Sequence, residues 1–423
     1  MTSPQPIVFP GGDSRAHPQP VMVTGVGIVS PLGSRFTVVA DRLLAGHSGV
    51  QAIDPGAHGR AARQFAAPVD CIPQPPKVCG IVGSQLAGLD RLAQMCLAPA
   101  ADALADAGLA GATRPDAMRI GIVVGLGAEH LKSWELDFLA GGTSVLEPRR
   151  MPTLVGRLAE LLRLDGPAVT VAAACGSSGY ALAVARAWLD AGQVDACVAG
   201  GCDILSPTTI AAFYNLRALS RRDDDPARAS RPFDRDRDGF VIGEGGAFFV
   251  LERQGEATAR GATLRAELAG IGMSSDAAHM VIPSAEATHA TAAITAALVD
   301  AGVTPDDVDY VNAHAAGTPV GDVAEALAIR QALGAATDAV TVSSTKGMTG
   351  HLVSGAAAFE AAACLVALER QTVPPTVNLD HPDERCRLDH VPLTARPRRV
   401  RVAVSNSFGF GGSNLCLVLR RAA

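Results

Sequence analysis

The chain has 423 residues, of which 48% are hydrophobic but only 4% are aromatic, so a large core has to pack through small side chains. The formal net charge of −6 excludes the overall positive field of a protein that binds nucleic acid. The nine cysteines include no CxxC pair, and the chain is far longer than the secreted domains that depend on a disulfide framework.

The chain begins with a proline-rich segment. Residues 1–19 contain Pro4, Pro6, Pro10 and Pro18, and they lack the charged start and apolar run of a signal peptide. No stretch of the chain approaches the length of an uncharged membrane span. We therefore expect a disordered leader over residues 1–19 and a cytoplasmic protein.

An internal repeat organises the rest of the chain. Residues 103–109 (ALADAGL) reappear as residues 297–303 (ALVDAGV), and both copies predict an alanine-rich helix that ends at a glycine. Each copy then leads through a polar connection into a predicted strand, over residues 119–124 and 308–313. Matches of this kind, when they recur in the same order, indicate a duplicated unit.

The repeat continues along the chain. Val-Thr-Val occurs at residues 169–171 and again at residues 340–342, and each copy predicts a strand that enters a segment of small and polar residues. A long small-residue helix is predicted after each segment, at about 178–191 and about 354–369. Each helix is followed by a strand-like segment that contains two adjacent glycines.

The alternation of strands and helices predicts the fold class. Strands separated by helices favour parallel βαβ units, and the matched segments occur in the same order in both parts of the chain. We therefore predict an α/β fold made of two duplicated βαβ halves around a pseudo-twofold axis. The first half spans residues 20–265, and the second half spans residues 266–423.

Cys175 is the candidate nucleophile. It follows an apolar strand and precedes Gly176-Ser177-Ser178-Gly179, which predicts a tight turn at the start of a helix. The positive end of a helix dipole and the unpaired N–H groups there favour a thiolate. The same N–H groups can hold an oxyanion when the sulfur attacks a carbonyl carbon. A lone cysteine is often an inert core residue, so the interpretation depends on its partners.

Two histidines and a lysine in the second half are the candidate partners. His314 ends a predicted strand, and His351 lies just before a predicted helix, five residues after Lys346. Neutral imidazoles that donate their Nε2–H groups would stabilise an enolate oxygen. Lys346 would either hold His351 neutral by its charge or pair with Glu325. One nucleophile with two imidazoles suits carbon–carbon bond formation on thioesters better than hydrolysis, which needs one base and one orienting acid.

A glycine-rich loop lies near the end of the chain. Gly409-Phe410-Gly411-Gly412 lacks the Lys-Ser/Thr of a phosphate-binding loop. Glycines around a single aromatic residue instead indicate a hinged loop that carries Phe410 as a gate.

These segments together resemble the β-ketoacyl-[acyl carrier protein] (ACP) synthases of the elongating type, most closely β-ketoacyl-ACP synthase II and the type II polyketide ketosynthases. The resemblance covers about residues 20–421. Its ordered markers are Val23-Thr24-Gly25-Val26-Gly27, Ser30-Pro31-Leu32-Gly33, Ala174-Cys175, Arg231-Pro232-Phe233-Asp234, Asp238-Gly239-Phe240, Ser274-Ser275-Asp276-Ala277, Asn312-Ala313-His314, Ser343-Ser344-Thr345-Lys346, Thr349-Gly350-His351 and Asn406-Ser407-Phe408-Gly409-Phe410-Gly411-Gly412.

The resemblance implies a thiolase fold in five layers (α-β-α-β-α), usually as a dimer, and a ping-pong decarboxylative Claisen condensation. Cys175 would accept the acyl chain from an acyl carrier protein, and the N–H groups of Cys175 and Phe410 would form the oxyanion hole. His314 and His351 would assist decarboxylation of malonyl-ACP and stabilise the enolate. The substrates would arrive on the carrier's phosphopantetheine, without a free cofactor or a metal.

The resemblance also implies supporting roles. Lys346 would order the site, with Glu325 as its partner and Asp322 nearby. The loop around Asp276 would move with the glycine-rich gate, and Thr318 would hydrogen-bond the pantetheine arm.

Two segments depart from the family pattern. Ala315-Ala316 follows His314 where the family usually has Gly-Thr, so one pantetheine contact is missing, and Gly176-Ser177-Ser178-Gly179 is a less usual sequence after the nucleophile. Both departures favour a specialised pathway over housekeeping lipid synthesis. They leave two alternatives, a ketosynthase-fold acyltransferase or decarboxylase that does not condense, and a non-catalytic chain-length partner. Either a homodimer or a heterodimer with a chain-length-factor-like subunit is compatible with the sequence.

Overall fold

The computed structural model describes residues 19–53, 64–111, 114–115, 118–142, 153–222 and 224–422. Residues 1–18 of the predicted leader lie outside these ranges. All nine cysteines lie inside them, and each is a free thiol. Within the same ranges, no helix has both the length and the apolar character that a membrane crossing requires.

The strands of the described residues are β1 (Val21–Val29), β2 (Gln51–Ile53), β3 (Gln64–Ala67), β4 (Ile120–Gly125), β5 (Ala168–Val171), β6 (Ala196–Asp203), β7 (Ile242–Gly243), β8 (Gly245–Arg253), β9 (Ala266–Ser275), β10 (Tyr310–Asn312), β11 (Thr341–Ser343), β12 (Thr372–Val373), β13 (Asp389–His390), β14 (Arg396–Pro397), β15 (Val402–Gly409) and β16 (Ser413–Arg421).

The α-helices of the described residues are α1 (Phe36–Leu44), α2 (Gly83–Ala87), α3 (Arg91–Asp106), α4 (Leu131–Leu139), α5 (Leu154–Leu161), α6 (Ser177–Asp190), α7 (Pro207–Asn215), α8 (Gln254–Ala259), α9 (Thr288–Asp300), α10 (Gly321–Leu333), α11 (Lys346–Thr349) and α12 (Ala356–Arg370). The repeated segments form α3 and α9, and each of these helices is followed by a glycine with positive φ, as predicted.

The strand order confirms the predicted duplication. The first half has the order β5-β4-β6-β8-β1, and the second half has the order β11-β10-β15-β16-β9, with the two-residue strand β13 added at the edge beside β11. Within each half this is the third, second, fourth, fifth and first strand of a five-stranded unit. The two units join where β1 and β9 pair in antiparallel register, with Met22 opposite Glu267 and Val23 opposite Ala266.

The helices complete the five predicted layers. Helices α6 and α12 share one buried core with strands from both halves and therefore lie between the two half-sheets. Helix α3 packs on the outer face of the first half-sheet, and α9 and α10 pack on the outer face of the second. Small side chains dominate these contacts, as the composition predicts.

Two glycines let the central helices start directly against strand ends. A Cβ atom on Gly125, at the end of β4, would lie 2.3 Å from the carbonyl carbon of Ser177, the first residue of α6. A Cβ atom on Gly355, just before α12, would lie 2.1 Å from the carbonyl oxygen of Gly245. Only glycine fits at such distances, and the two contacts bring the starts of both helices to the centre of the molecule.

Candidate active site

Cys175 lies on a sharp turn between β5 and α6. Ala174 has a φ of +48°, a conformation that is costly for a residue other than glycine. The turn is fixed by Ser177, whose hydroxyl accepts the N–H of Ala173 at 2.9 Å and donates to the carbonyl of Ala174 at 2.7 Å. Cys175 is only 5% exposed, and it lies just before the N-terminus of the central helix α6.

His351 contacts the Cys175 sulfur directly. The two residues are far apart in the sequence, but His351 Nε2 lies 3.1 Å from Cys175 Sγ. The backbone of His351 pairs with residues around β7, because its N–H donates to Val241 at 2.7 Å and its carbonyl accepts from Gly243 at 2.9 Å. The ring of Phe240 packs edge-on against the imidazole at 5.1 Å between centroids. His351 is therefore held rigidly on the nucleophile.

His314 completes the cluster on the other side of His351. The two imidazole centroids are 5.3 Å apart, with the rings nearly perpendicular. The Glu325 carboxylate accepts the backbone N–H groups of His314 at 2.8 Å and Ala315 at 2.6 Å. The side-chain amide of Asn406 donates to the same carboxylate at 3.1 Å. Glu325 thus positions the His314 backbone.

Lys346 pairs with Glu360, and the predicted pairing with Glu325 is wrong. The Lys346 ammonium forms a buried ion pair with Glu360 and donates to the His314 carbonyl at 2.5 Å. Glu325 is already occupied by two backbone N–H groups and Asn406. The sequence signal for Glu360 was available, because it is the single carboxylate within the apolar run Ala-Ala-Ala-Phe-Glu-Ala-Ala-Ala of α12.

The Lys346 ammonium also selects the tautomer of His314. Its Nζ atom lies 3.4 Å from His314 Nδ1, and an ammonium group can only donate a hydrogen bond. His314 Nδ1 is therefore the acceptor, and the ring proton is on Nε2.

Burial decides the protonation states of the reactive groups. It raises the pKa of the Cys175 thiol to about 11, although Lys346 and a hydrogen bond from the Phe410 N–H act in the opposite direction. Burial therefore opposes the thiolate that the helix terminus was expected to favour, and a thiolate at Cys175 stays a prediction. Burial, together with Lys346, lowers the pKa of His314 and the pKa of His351 well below the usual value. Both imidazoles are neutral near pH 7, as expected.

The glycine-rich loop lies against the nucleophile. The Phe410 N–H hydrogen-bonds the Cys175 sulfur, and a Cβ atom on Gly409 would lie 3.2 Å from the Cys175 nitrogen. The Phe410 ring packs against Phe213 at 5.8 Å between centroids. Gly411 has a φ of +85°, which a larger residue would adopt only with strain.

Asp276 connects a second loop to the glycine-rich loop. Its N–H donates to the Gly412 carbonyl at 2.9 Å, and its carboxylate accepts the Asn414 amide at 2.7 Å and the Ser284 N–H at 3.1 Å. The two loops therefore share hydrogen bonds, which is the geometry that coupled motion would need.

Asp322 fixes the segment that follows His314. Its carboxylate accepts the N–H groups of Gly317 at 3.1 Å, Thr318 at 3.0 Å and Phe233 at 2.8 Å. The guanidinium of Arg237 lies 3.6 Å away as a buried counter-charge. Thr318 itself is partly buried, and its contact with pantetheine stays a prediction. Among the described residues, no group of His, Cys, Asp and Glu is arranged to hold a metal ion.

Two family descriptions match the chain. Beta-ketoacyl synthase, N-terminal domain, matches residues 18–257, and Beta-ketoacyl synthase, C-terminal domain, matches residues 265–380. The chain belongs to the beta-ketoacyl synthase family. It is therefore a ketosynthase-class acyltransferase with a thiolase fold.

Individual relatives cover nearly the whole chain. The 3-oxoacyl-[acyl-carrier-protein] synthase 2 of Vibrio cholerae is 40% identical over 415 residues, which are 95% of this chain and 99% of the relative. A beta-ketoacyl synthase from Burkholderia phymatum has a structure with a TM-score of 0.87 and 33% identity, covering 96% of this chain and 100% of its own. The ishigamide ketosynthase/chain length factor has a TM-score of 0.83 and 32% identity, with the same coverage.

Proposed function

We propose that the enzyme joins a Cys175-bound acyl chain to malonyl-ACP by decarboxylative Claisen condensation and releases β-ketoacyl-ACP, in fatty-acid or type II polyketide biosynthesis. The observation that carries this proposal is the convergence of one sulfur and two imidazoles. His351 Nε2 lies 3.1 Å from the Cys175 sulfur, and the His314 ring lies beside His351. A hydrolase would not need the second neutral imidazole.

Acyl transfer is the first step. His351 Nε2 accepts the proton of the neutral thiol as the sulfur attacks the thioester carbonyl of acyl-ACP. The N–H groups of Cys175 and Phe410 hold the oxyanion. The carrier thiolate then leaves and takes the proton from His351, so that the enzyme carries a thioester on Cys175 and both imidazoles are neutral again.

Decarboxylation and condensation follow. Malonyl-ACP loses carbon dioxide, and the electron pair of the broken carbon–carbon bond forms an enolate whose oxygen accepts the Nε2–H group of neutral His314. His351 is a second donor to this oxygen only in the tautomer that carries its proton on Nε2, which differs from the tautomer that accepts the thiol proton. Lys346 keeps the proton on His314 Nε2, as the 3.4 Å contact with Nδ1 indicates. The enolate carbon attacks the Cys175 thioester, and the sulfur leaves as thiolate and takes one proton from the solvent.

The remaining residues serve access and binding in this proposal. Phe410, with Gly409 and Gly411 on either side, gates the acyl pocket, and Asp276 couples the second loop to the gate. Thr318 hydrogen-bonds the pantetheine arm. The substrates arrive on the phosphopantetheine of an acyl carrier protein, so no free cofactor is expected.

The assembly and location are also proposals. We propose a dimer, either of two copies or with a chain-length-factor-like subunit, and a cytoplasmic enzyme with halves at residues 20–265 and 266–423. Helix α4 supports the dimer, because Trp134, Leu136, Phe138 and Leu139 are all exposed on this short helix, and large apolar side chains exposed together on one element are typical of an interaction surface.

Mass spectrometry of the carrier arm tests the proposed reaction. The purified enzyme is incubated with an acyl-ACP and malonyl-ACP, and a β-ketoacyl-ACP two carbons longer than the acyl group is expected. Acetyl-ACP without a longer product would instead support the decarboxylase that Ala315-Ala316 suggested. No change in either carrier and no acyl group on the enzyme would support the non-catalytic chain-length partner.

A further inference from the structure

The second half contains a turn that is similar to the nucleophile turn. Val353 has a φ of +47° and Ala174 a φ of +48°. Each begins a single 3-10 turn, Ala174–Gly176 or Val353–Gly355, and a long central helix starts at the next residue. When the two turns are aligned on Ala174 and Val353, Ser354 takes the position of Cys175.

Each turn is met by the end of the fourth strand of the opposite half. Strand β15 ends at Gly409 beside Cys175, and the next N–H, from Phe410, hydrogen-bonds the sulfur. Strand β6 ends at Asp203, whose carboxylate accepts the Ser354 hydroxyl at 2.7 Å and the Ser354 N–H at 3.2 Å. The other oxygen of Asp203 accepts the Ile204 N–H at 2.9 Å. The Asp203 carboxylate thus accepts the N–H of Ser354, which is the group that corresponds to the Cys175 N–H.

The Asp203–Ser354 contact bears on His351, which lies three residues before Ser354. The chain on either side of residues 352–354 is already confined. Gly355 lies against Gly245, and the His351 backbone pairs with Val241 and Gly243. The hydrogen bonds to Asp203 therefore add a further attachment between the histidine segment and the half of the molecule that carries the nucleophile.

We propose that Asp203 and Ser354 are positioning residues that hold His351 Nε2 on the Cys175 sulfur across the interface between the two halves. The inference rests on the proposed function, because it concerns the proton transfer that precedes acylation. Neither residue touches the sulfur, and both act through His351. The Asp203 charge also opposes ionisation of the Cys175 thiol, in the same direction as burial, which is the largest cause of the raised pKa.

The charged groups around this pair define the pH experiment. The titratable and charged groups that face Cys175 are the neutral imidazole of His351 and the side chains of Lys346, Glu360 and Asp203, and the charged group that faces Asp203 is Glu244. Asp203→Asn keeps the shape of the side chain and removes only its charge. The pH at which Cys175 becomes reactive toward iodoacetamide is therefore expected to move to lower pH in this variant.

Ser354→Ala tests positioning without any change of charge. We expect the first-order rate of Cys175 acylation by acyl-ACP to fall about tenfold, with KM for the carrier unchanged, since one hydrogen bond to a carboxylate is lost. The matched control is Ser206→Ala, which removes another buried serine hydroxyl that donates to a carboxylate, Glu135, at 3.0 Å. It should change neither the acylation rate nor the alkylation profile.

The outcomes separate a positioning role from a structural one. If both variants lower the melting temperature but leave acylation and the alkylation profile at wild-type values, the pair is structural and the proposal is wrong. If Asp203→Asn does not fold, Ser354→Ala against Ser206→Ala decides. Alkylation needs no carrier protein, so it can be measured whether or not the enzyme condenses. If the wild-type enzyme forms no β-ketoacyl product but the alkylation profile is shifted in Asp203→Asn, the proposed function is overturned and this inference stands.

Discussion

The first elbow (residues 172–176) and the second elbow (residues 351–355) share a residue with positive φ that begins a single 3-10 turn, but they present different side chains. At the first elbow, the Cys175 sulfur meets an imidazole and the Phe410 N–H. At the second elbow, the Ser354 hydroxyl meets the Asp203 carboxylate. The duplicated fold therefore supplies one type of turn twice, and the choice of side chain decides which copy carries the nucleophile.

The residues on either side of the elbows differ in the same way. His351 lies three residues before Ser354, and Ala172 lies three residues before Cys175. Glu360 lies six residues after Ser354, and the corresponding residue after Cys175 is the buried Ala181. The second half thus holds His314, His351 and the Lys346–Glu360 pair, while the first half holds the nucleophile. A complete site exists only where the two halves meet.

Loss of the nucleophile gives the largest expected effect. Cys175→Ala should lower acyl-enzyme formation by at least about 10³-fold, because the thioester has no other attachment point. Ser354→Ala should still form the acyl-enzyme at a reduced rate. Intact mass and peptide mapping after incubation with acyl-ACP measure both. An acyl group found on the peptide of the second elbow would show that the two elbows were assigned to the wrong roles.

The pH dependence of Cys175 alkylation tests the buried thiol. Because burial raises the pKa of Cys175 to about 11, the thiol is neutral near pH 7. At pH values below the pKa, the thiolate fraction increases about tenfold for each unit by which the pH rises. The rate with iodoacetamide should therefore keep rising from pH 7 to about pH 9.5.

The exposed Cys71 offers an internal control for the reagent in the same digest. A rate at Cys175 that levels off below about pH 8 would mean that the helix terminus and Lys346 outweigh burial. The first elbow would then hold a thiolate at rest, as its sequence suggested.

The buried pair of Lys346 and Glu360 exists only in the second half, and breaking it should mainly affect stability. Glu360→Ala, which copies Ala181, leaves an ammonium group buried without its carboxylate and should lower the free energy of unfolding by about 3–5 kcal/mol. Lys346→Met combined with Glu360→Leu should recover most of that loss, because no charge stays buried. Urea unfolding of the single and double variants measures both values.

The variant Lys346→Met adds a pH signature. Burial already raises the pKa of Glu360 to about 7 against the opposing effect of Lys346, and loss of the ammonium removes that opposition. A carboxyl group whose folded pKa is raised loses stability as pH rises from its unfolded pKa through the folded one. The stability deficit of Lys346→Met should therefore be larger at pH 8 than at pH 6, and an equal deficit at both would contradict the assignment.

The repeat made much of the fold predictable from the sequence. Helices predicted at about 178–191 and about 354–369 were found at Ser177–Asp190 and Ala356–Arg370, because small residues and glycine turns are local signals. Cys175, His314 and His351 could be selected because each lies where a strand gives way to a turn. Their convergence follows from the way the two halves pack.

Other features of the site depend on contacts that cross between elements distant in sequence. Whether Lys346 pairs with Glu325 or Glu360 depends on which carboxylate is left after the backbone N–H groups are satisfied. Glu360 stands out as the single carboxylate in an apolar run, but the sequence does not show that Glu325 is already occupied. The protonation of Cys175 depends on how completely the sulfur is buried. The Asp203–Ser354 contact joins two halves and has no local sequence signal at all.

The smallest expected effect concerns Ala316, which lies in the segment after His314 where the family usually has threonine. Ala316 is 6% exposed and packs in a cluster with Ile210 and Phe240. Ala316→Thr would add a hydroxyl able to hydrogen-bond the pantetheine arm, and one such bond contributes about 0.5–1.5 kcal/mol. We therefore expect KM for malonyl-ACP to fall about threefold to tenfold, with kcat nearly unchanged.

Ala316→Val separates the hydroxyl from the added volume, since valine has the shape of threonine without its oxygen. Extra atoms in this packed cluster carry a cost in both variants, so only the difference between them reports the hydrogen bond. If both variants raise KM equally, the segment after His314 does not bring a residue 316 hydroxyl near the carrier arm. The absence of threonine would then reflect the apolar wall formed with Phe240, and the supposed difference in donor binding between this chain and its family would disappear.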